Sequence, residues 1–312
     1  MVVSIGVRGT PSSVWEVGFS GTEEGIAMPY LRLLRPQHWI KNLFILLPVP
    51  YAMAAGITPA AFDFLSGLVA FSLISSAVYA FNDVVDQDRD RVHPEKQMRP
   101  IAAREINPRV ALLISFSLVI VSFLLLSLVT GWGPVVAIAG AYLGLNLAYS
   151  LWGREIPIID LLLIGSFFFL RILYGCALLE ATPSASLLAG GTGIALLLAL
   201  GKRMAELRLD LSTDHRRSLQ WYSVVGMTRA IRIQVILVAI LYFDYCFRIA
   251  PFYAERWWWS LPPVLAGLWQ YQYKILVQGE TRSPVEMLYR YRSLQLLILM
   301  WITTTLFSIQ FS

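Results

Sequence analysis

Asn82-Asp83-Val84-Val85-Asp86-Gln87-Asp88-Arg89-Asp90 follows directly on the apolar run Phe71 to Phe81 and opens a segment dense in charge, through Arg91, His93, Lys96 and Arg99. If a helix continues through it, Asp83, Asp86 and Asp90 fall at i, i+3 and i+7, on one stripe at about 3.6 residues per turn. Asn82 and Asp86 form an i, i+4 pair beside that stripe. Carboxylates crowded in this way repel one another unless a cation sits among them. Hard oxygen ligands suit Mg²⁺, which takes one or two carboxylates and substrate phosphate oxygens. The plainer reading is a solvated helix start, where Asp is favourable in the first turn. A solvated face does not call for three stripe carboxylates followed at once by a basic string. Asn82, Asp83, Asp86 and Asp90 are therefore the candidate metal ligands.

The surrounding composition says where such a site would lie. Of 312 residues, 57% are hydrophobic and 14% charged, against roughly a quarter charged in soluble domains. This predicts an all-α, polytopic membrane protein. Windows of about 19 residues give nine apolar spans, near 40–56, 62–82, 109–130, 134–152, 157–180, 185–201, 228–247, 258–277 and 293–311. The first contains Pro48 and Pro50 and is the weakest, with a kink expected. Residues 1–28 are polar and glycine-rich, lack a charged region followed by an apolar core, and read as a poorly ordered tail rather than a signal peptide. Residues 29–312 read as a single transmembrane domain. Cys176 and Cys246 lie far apart in apolar runs, and His38, His93 and His215 lack zinc-like spacing, so neither a disulfide framework nor a Cys/His metal site is indicated. The net charge of +5 suits anionic headgroups and anionic substrates, and nothing points to a nucleic-acid partner. Membrane lipids are the expected surroundings, and a homo-oligomer is compatible with the sequence.

The basic residues test the nine-span reading. With alternating sides, 22 of the 25 Lys and Arg fall on the side of the N-terminus and the even-to-odd loops. Arg248 and Arg256 fall opposite, and Arg171 lies within a span. This asymmetry places the N-terminus and the aspartate stripe in the cytoplasm of a multi-pass plasma-membrane protein.

Four further polar clusters share that side. Arg35-Pro36-Gln37-His38-Trp39-Ile40-Lys41-Asn42 enters the first span, and reads either as an interfacial anchor or as part of a site. His93-Pro94-Glu95-Lys96-Gln97-Met98-Arg99-Pro100-Ile101-Ala102 is a loop whose cations Lys96 and Arg99 can fold back over the stripe. Tyr149, Arg154 and Asp160 form the third, with Arg171 eleven residues beyond Asp160. Asp160 and Arg171 share one face of an apolar span, so they are a structural ion pair or line a wet cavity. The fourth is Gly201-Lys202-Arg203-Met204-Ala205-Glu206-Leu207-Arg208, where Lys202 and Glu206 are spaced as a helical pair. Together the clusters describe a cytoplasm-facing polar cavity with a cation site and several phosphate-neutralising side chains. No G-x-x-x-x-G-K-[ST] or G-x-G-x-x-G is present.

N-D-x-x-D-x-x-x-D at the end of the second of nine spans resembles the UbiA superfamily of intramembrane prenyltransferases, over a match running from Leu31 to the C-terminus. The flanks Arg35-Pro36-x-x-Trp39-x-Lys41-Asn42, Asp90-Arg91-x-His93-Pro94-x-Lys96-x-x-Arg99-Pro100-Ile101-Ala102 and Gly201-Lys202-Arg203-x-x-Glu206 resemble the decaprenyl-phosphate phosphoribosyltransferase branch. That resemblance implies transfer of 5-phosphoribose from phosphoribosyl diphosphate to a polyprenyl phosphate, on the route to arabinofuranosyl lipid donors. It implies Mg²⁺ and diphosphate at Asn82, Asp83, Asp86 and Asp90, and phosphates clamped by Lys41, Arg99, Lys202 and Arg203. Glu206 would orient them or the ribose. Asp83, Asp86, Asp90 and Lys202 are then the residues closest to the chemistry, with Lys96, Tyr149, Asp160 and Arg171 in the substrate cavity. Gln97 stands where a basic residue is expected and Arg104 where a glycine is. The second aspartate-rich motif of the aromatic prenyltransferases is missing after the sixth span, where Asp210 and Asp214 lie displaced from the helix end. That favours a phosphosugar donor. A prenyl transferase acting on an aromatic or other acceptor is the alternative, and a transporter or lipid-binding protein without chemistry is the third reading.

Overall fold

The computed structural model describes residues 27–58, 60–93, 96–152, 158–209, 221–249 and 253–309. Among them the chain is helical, with no strand. The tail expected over 1–28 lies almost wholly outside the described residues, as do Pro94, Glu95, Arg154, Asp210, Asp214 and His215. Helix α1 (Ala27–Leu34) leads into a 3-10 segment, Pro36–Leu46, and a short helix, α2 (Val49–Ala54). Then come α3 (Ala61–Val85), α4 (Gln87–Arg91), α5 (Pro108–Thr130), α6 (Pro134–Leu151), α7 (Ile159–Leu178) and α8 (Ala185–Arg208). Helix α9 (Val224–Asp244) runs on as a π-helical turn to Ile249, before α10 (Leu261–Leu276), α11 (Pro284–Arg290) and α12 (Arg292–Ser308).

Six of these, α3 and α5 to α9, are long and apolar enough to cross a membrane. The other three expected spans fall short for distinct reasons. Residues 40–56 are not one α-helix: the 3-10 segment ends at Leu46 and Pro48 and Pro50 impose a new start at α2, because proline supplies no N–H to the preceding turn. Helices α10 and α12 have 16 and 17 residues, at the lower limit of about 17 residues for a helix that spans a bilayer, and are not among the six.

Local sequence explains the helix starts. Pro108 and Pro134 sit in the first turns of α5 and α6, and the Ser184, Ser223 and Ser283 side chains accept backbone N–H groups at the starts of α8, α9 and α11. Such caps use donors that have no partner within the helix. The faces are inverted relative to a water-soluble bundle. On α5, Leu113, Phe116 and Leu128 are 66%, 65% and 83% exposed, while Ser115 turns inward and donates to the Ala77 carbonyl at 2.8 Å. Apolar residues outward and small polar residues inward are what a lipid solvent selects.

Two apolar clusters hold the helices. One joins the N-terminal half through Ile45, Phe71, Ile74, Leu126, Tyr142, Phe167 and Tyr174. The second joins α8 to α11 through Leu197, Met204, Ile231, Leu268, Tyr271 and Met287. Gly175 fixes how closely α7 meets the 3-10 segment, because a Cβ there would collide with the Ile45 carbonyl oxygen. Arg104, where a glycine was expected, has φ +62°. The turn needs the left-handed conformation that glycine adopts without steric cost.

Candidate active site

Helix α3 ends at Val85, and Asp86 (φ −92°, ψ −2°) joins it to α4. The helical register nevertheless passes through the junction: Asp86 N donates to Asn82 O and Asp90 N to Asp86 O, each at 2.9 Å. Asp83 and Asp90 are 1% and 3% exposed, and Asp86 is half-buried. The cations among these carboxylates are guanidiniums. Arg99 Nη1 lies 3.1 Å from Asp83 Oδ1 and 2.6 Å from Asp90 Oδ2, and Arg35 Nη2 lies 2.5 Å from Asp83 Oδ1. Burial raises the Asp90 carboxyl above its ordinary value, against the pull of Arg99. Both guanidiniums lean on Oδ1 of Asp83. Its Oδ2 is buried with no hydrogen-bond partner among the described residues. Asn82 Oδ1 accepts a hydrogen bond from Ser150 Oγ on α6.

No three His, Cys, Asp or Glu side chains among the described residues form a ready metal cluster. The donor set still fits Mg²⁺, which needs only one or two protein carboxylates when phosphate oxygens and water complete its shell. The buried Asp83 Oδ2 is a hard oxygen of the right kind.

The 3-10 segment is fastened to one face of α3. Trp39 Nε1 donates to Ser76 Oγ at 2.9 Å, Lys41 Nζ to the Tyr79 hydroxyl at 3.2 Å, and Asn42 Nδ2 to Ser72 Oγ at 2.9 Å. Lys96 is exposed, in the electrostatic field of Arg99, Asp90, Glu206 and Asp86, so the loop after α4 faces the end of α8. There Lys202 is exposed and Arg203 is buried. Arg203 Nε donates to Asp160 Oδ2 at 2.9 Å and Nη1 to Glu206 Oε2 at 2.5 Å, while Tyr149 OH donates to Asp160 Oδ1 at 2.9 Å.

The Asp160–Arg171 pairing considered from their spacing is corrected by this geometry: Asp160 meets Arg203. Arg171 instead donates to Asn42 Oδ1 at 3.1 Å, the Phe167 carbonyl at 3.1 Å and the Tyr142 hydroxyl at 2.7 Å. Its guanidinium also lies 4.8 Å from the Tyr142 ring centroid and 5.1 Å from that of Phe168. The rotation of α7 about its axis aims the two side chains to different neighbours, and spacing along one helix does not report that rotation.

Sequence offered Arg35 and His38 only as members of the cluster 35–42, without a role, and did not single out Tyr79 or Ser150. Arg35 has φ +51°, a left-handed conformation uncommon outside glycine and a mark of functional positions. A groove of about 440 Å³ lies elsewhere, between α7, α8 and α9, with Phe169, Leu188, Thr192, Leu196 and Gln234 in its lining; none of the site residues contributes to it.

A bundle of membrane-crossing helices with acidic and basic side chains gathered at one end defines an intramembrane enzyme class, and the comparisons identify it. Residues 42–303 match the UbiA prenyltransferase family, and the chain belongs to that family. It is a transferase. The decaprenyl-phosphate phosphoribosyltransferase of Corynebacterium glutamicum is 28% identical over 287 residues, 89% of this chain and 86% of that protein. The enzyme of the same name from Mycobacterium tuberculosis is 28% identical over 88% of this chain and 92% of its own. A UbiA homolog from Archaeoglobus fulgidus, solved with GPP and Mg²⁺, superposes with a TM-score of 0.69 at 20% identity, covering 89% of this chain and 99% of that one. At that identity the superposition establishes the fold.

Proposed function

We propose that this protein transfers 5-phosphoribose from phosphoribosyl diphosphate to a polyprenyl phosphate, releasing diphosphate, at the cytoplasmic face of the plasma membrane. The product would feed the synthesis of arabinan precursors for the cell wall. The observation that carries the reading is the buried Asp83, whose unpartnered Oδ2 lies beside Arg35 and Arg99 at the end of α3. Similarity to proteins named decaprenyl-phosphate phosphoribosyltransferase supports the choice of donor and acceptor.

Asn82, Asp83, Asp86 and Asp90 would hold Mg²⁺ and through it the diphosphate. A divalent cation bound there neutralises charge on the leaving diphosphate. Arg99 and Lys96 then reach the same phosphates from the loop after α4, while Lys41 and Lys202, on the facing elements, meet the substrates' other phosphate groups. Arg203, committed to Asp160 and Glu206, orients Glu206 rather than clamping phosphate. Arg171, saturated by protein groups, positions Asn42 and with it the 3-10 segment. The acceptor phosphate oxygen attacks ribose C1, the C1–O bond to diphosphate breaks, and the electron pair leaves with diphosphate. No side-chain base is required, since the phosphate dianion is itself the nucleophile.

The test is diphosphate release by the purified protein in detergent with phosphoribosyl diphosphate, a polyprenyl phosphate and Mg²⁺. Release that needs all three is expected. Turnover only with a prenyl diphosphate and an aromatic acceptor would overturn the donor assignment and keep the family.

A further inference from the structure

Arg35, His38 and Lys41 recur every three residues along and just before the segment Pro36–Leu46. In an α-helix that spacing swings successive side chains by roughly 60°, whereas a 3-10 helix with about three residues per turn stacks His38 and Lys41 in one row. Arg35, left-handed just before the segment, joins them at its N-terminal end. The row converges on one ring of α3. The Arg35 guanidinium lies 5.4 Å, the Lys41 ammonium 5.5 Å and the His38 ring 5.3 Å from the Tyr79 ring centroid.

His38 Nδ1 is buried and has no hydrogen-bond partner among the described residues. The charged groups acting on the imidazole are Lys41, Arg35, Lys202 and Arg99, all cationic. Burial first, and then these cations, lower its pKa to about 3, so the ring is neutral at physiological pH. Asp83 pairs with both Arg35 and Arg99, and the leading charge effects on the imidazole come from cations. A neutral ring with an unused polar atom, set among cations, is complementary to an anion that accepts hydrogen bonds.

We propose that Arg35, His38 and Lys41, closed by Lys202, form a phosphomonoester subsite in which His38 Nδ1–H donates to a phosphate oxygen. It deepens the function proposed above and rests on it for the identity of the ligand. Both substrates carry a phosphomonoester: the 5-phosphate of the donor and the phosphate of the lipid acceptor. The diphosphate has its own place beside Asp83.

Binding of inorganic phosphate to the full chain, read by thermal unfolding in detergent without divalent cation, tests the subsite independently of the reaction. Phosphate is expected to stabilise the wild type, and His38→Leu to need at least fivefold more for the same shift. His38→Asn, which places an amide near the Nδ1 position, is expected to recover most of that loss. Identical phosphate dependence in wild type and His38→Leu would overturn the subsite, whatever the outcome of the diphosphate-release assay. Should His38→Leu not fold, Lys41→Gln removes the ammonium that lies beside the Tyr79 ring. It is expected to weaken phosphate at least twofold, and no weakening overturns the proposal. The source is read from KM. An increase for phosphoribosyl diphosphate in His38→Asn or His38→Leu places the donor's 5-phosphate here, and an increase for polyprenyl phosphate places the acceptor. Unchanged KM for both overturns the role in turnover.

Discussion

Two arginine-centred networks meet the 3-10 segment, one buried around Arg171 and one part-buried around Arg35 and Arg99, and they are built to opposite ends. Around Arg171 the hydrogen bonding reaches every nitrogen: Asn42, the Phe167 carbonyl and the Tyr142 hydroxyl each accept one bond, and aromatic rings lie against the guanidinium. Around Arg35 and Arg99 it does not close. Among the described residues, Asp83 Oδ2 and His38 Nδ1 are buried without hydrogen-bond partners. A buried polar atom left unpaired costs about 1–3 kcal/mol, a cost tolerated where a ligand completes the network. The closed network holds the bundle together, and under the function proposed above the open one is where substrate phosphates and Mg²⁺ would bind.

The contrast can be broken by substitution. The largest effect is expected for Asp83→Asn, which removes the carboxylate shared by Arg35 and Arg99. Diphosphate release should fall by roughly a hundredfold or more, the scale of a lost electrostatic contact in the transition state, with the helical circular-dichroism signal kept. Wild-type release would strip the open network of its role. Next is Arg171→Met. It should cost about 2–3 kcal/mol of stability by orphaning Asn42 and Tyr142, while turnover per folded molecule stays within about threefold. Collapse of turnover at unchanged stability would reverse the assignment of the two networks.

Smaller effects sharpen the picture of the segment between them. Gly175→Ala should lower stability by about 1–3 kcal/mol, as overpacking does, because the methyl group pushes the Ile45 carbonyl away from α7. Unchanged thermal unfolding would mean that the 3-10 segment yields freely. Arg104→Gly should raise stability by about 0.5–1 kcal/mol, relieving a left-handed residue. A loss would show that the Arg104 side chain contributes more than its backbone strain costs.

Apolar run length reported most of the fold correctly. The spans expected at 62–82, 109–130 and 134–152 correspond closely to α3, α5 and α6, because lipid-facing surface requires unbroken hydrophobicity. The span expected to end at 201 continues as α8 to Arg208. Lys202 and Arg203 end a hydropathy window, but Arg203 is held inside the bundle by Asp160, so the helix has no reason to stop. Hydropathy also cannot separate a period of three from one of 3.6 over eleven residues that begin with proline, and the Arg35–His38–Lys41 row was hidden for that reason. At the site, the aspartates close in sequence were legible: Asp83 on α3, Asp86 at the junction and Asp90 on α4 stay in register through the backbone hydrogen bonds across it. Partners on different helices, such as Arg203 for Asp160 and Ser150 for Asn82, depend on helix rotation and crossing, which periodicity along a single helix does not encode.

The link between Asp160 and Arg203 also bears on how the chain is made. The two residues are 43 positions apart, and synthesis delivers the acid first. Until α8 follows, Asp160 has the Tyr149 hydroxyl from its own half of the chain but not the guanidinium that neutralises it. An ionised carboxylate in apolar surroundings is costly, so α7 without α8 would carry a charge that lacks its counter-ion. Arrival of α8 supplies the counter-charge and draws the second half of the protein against the first.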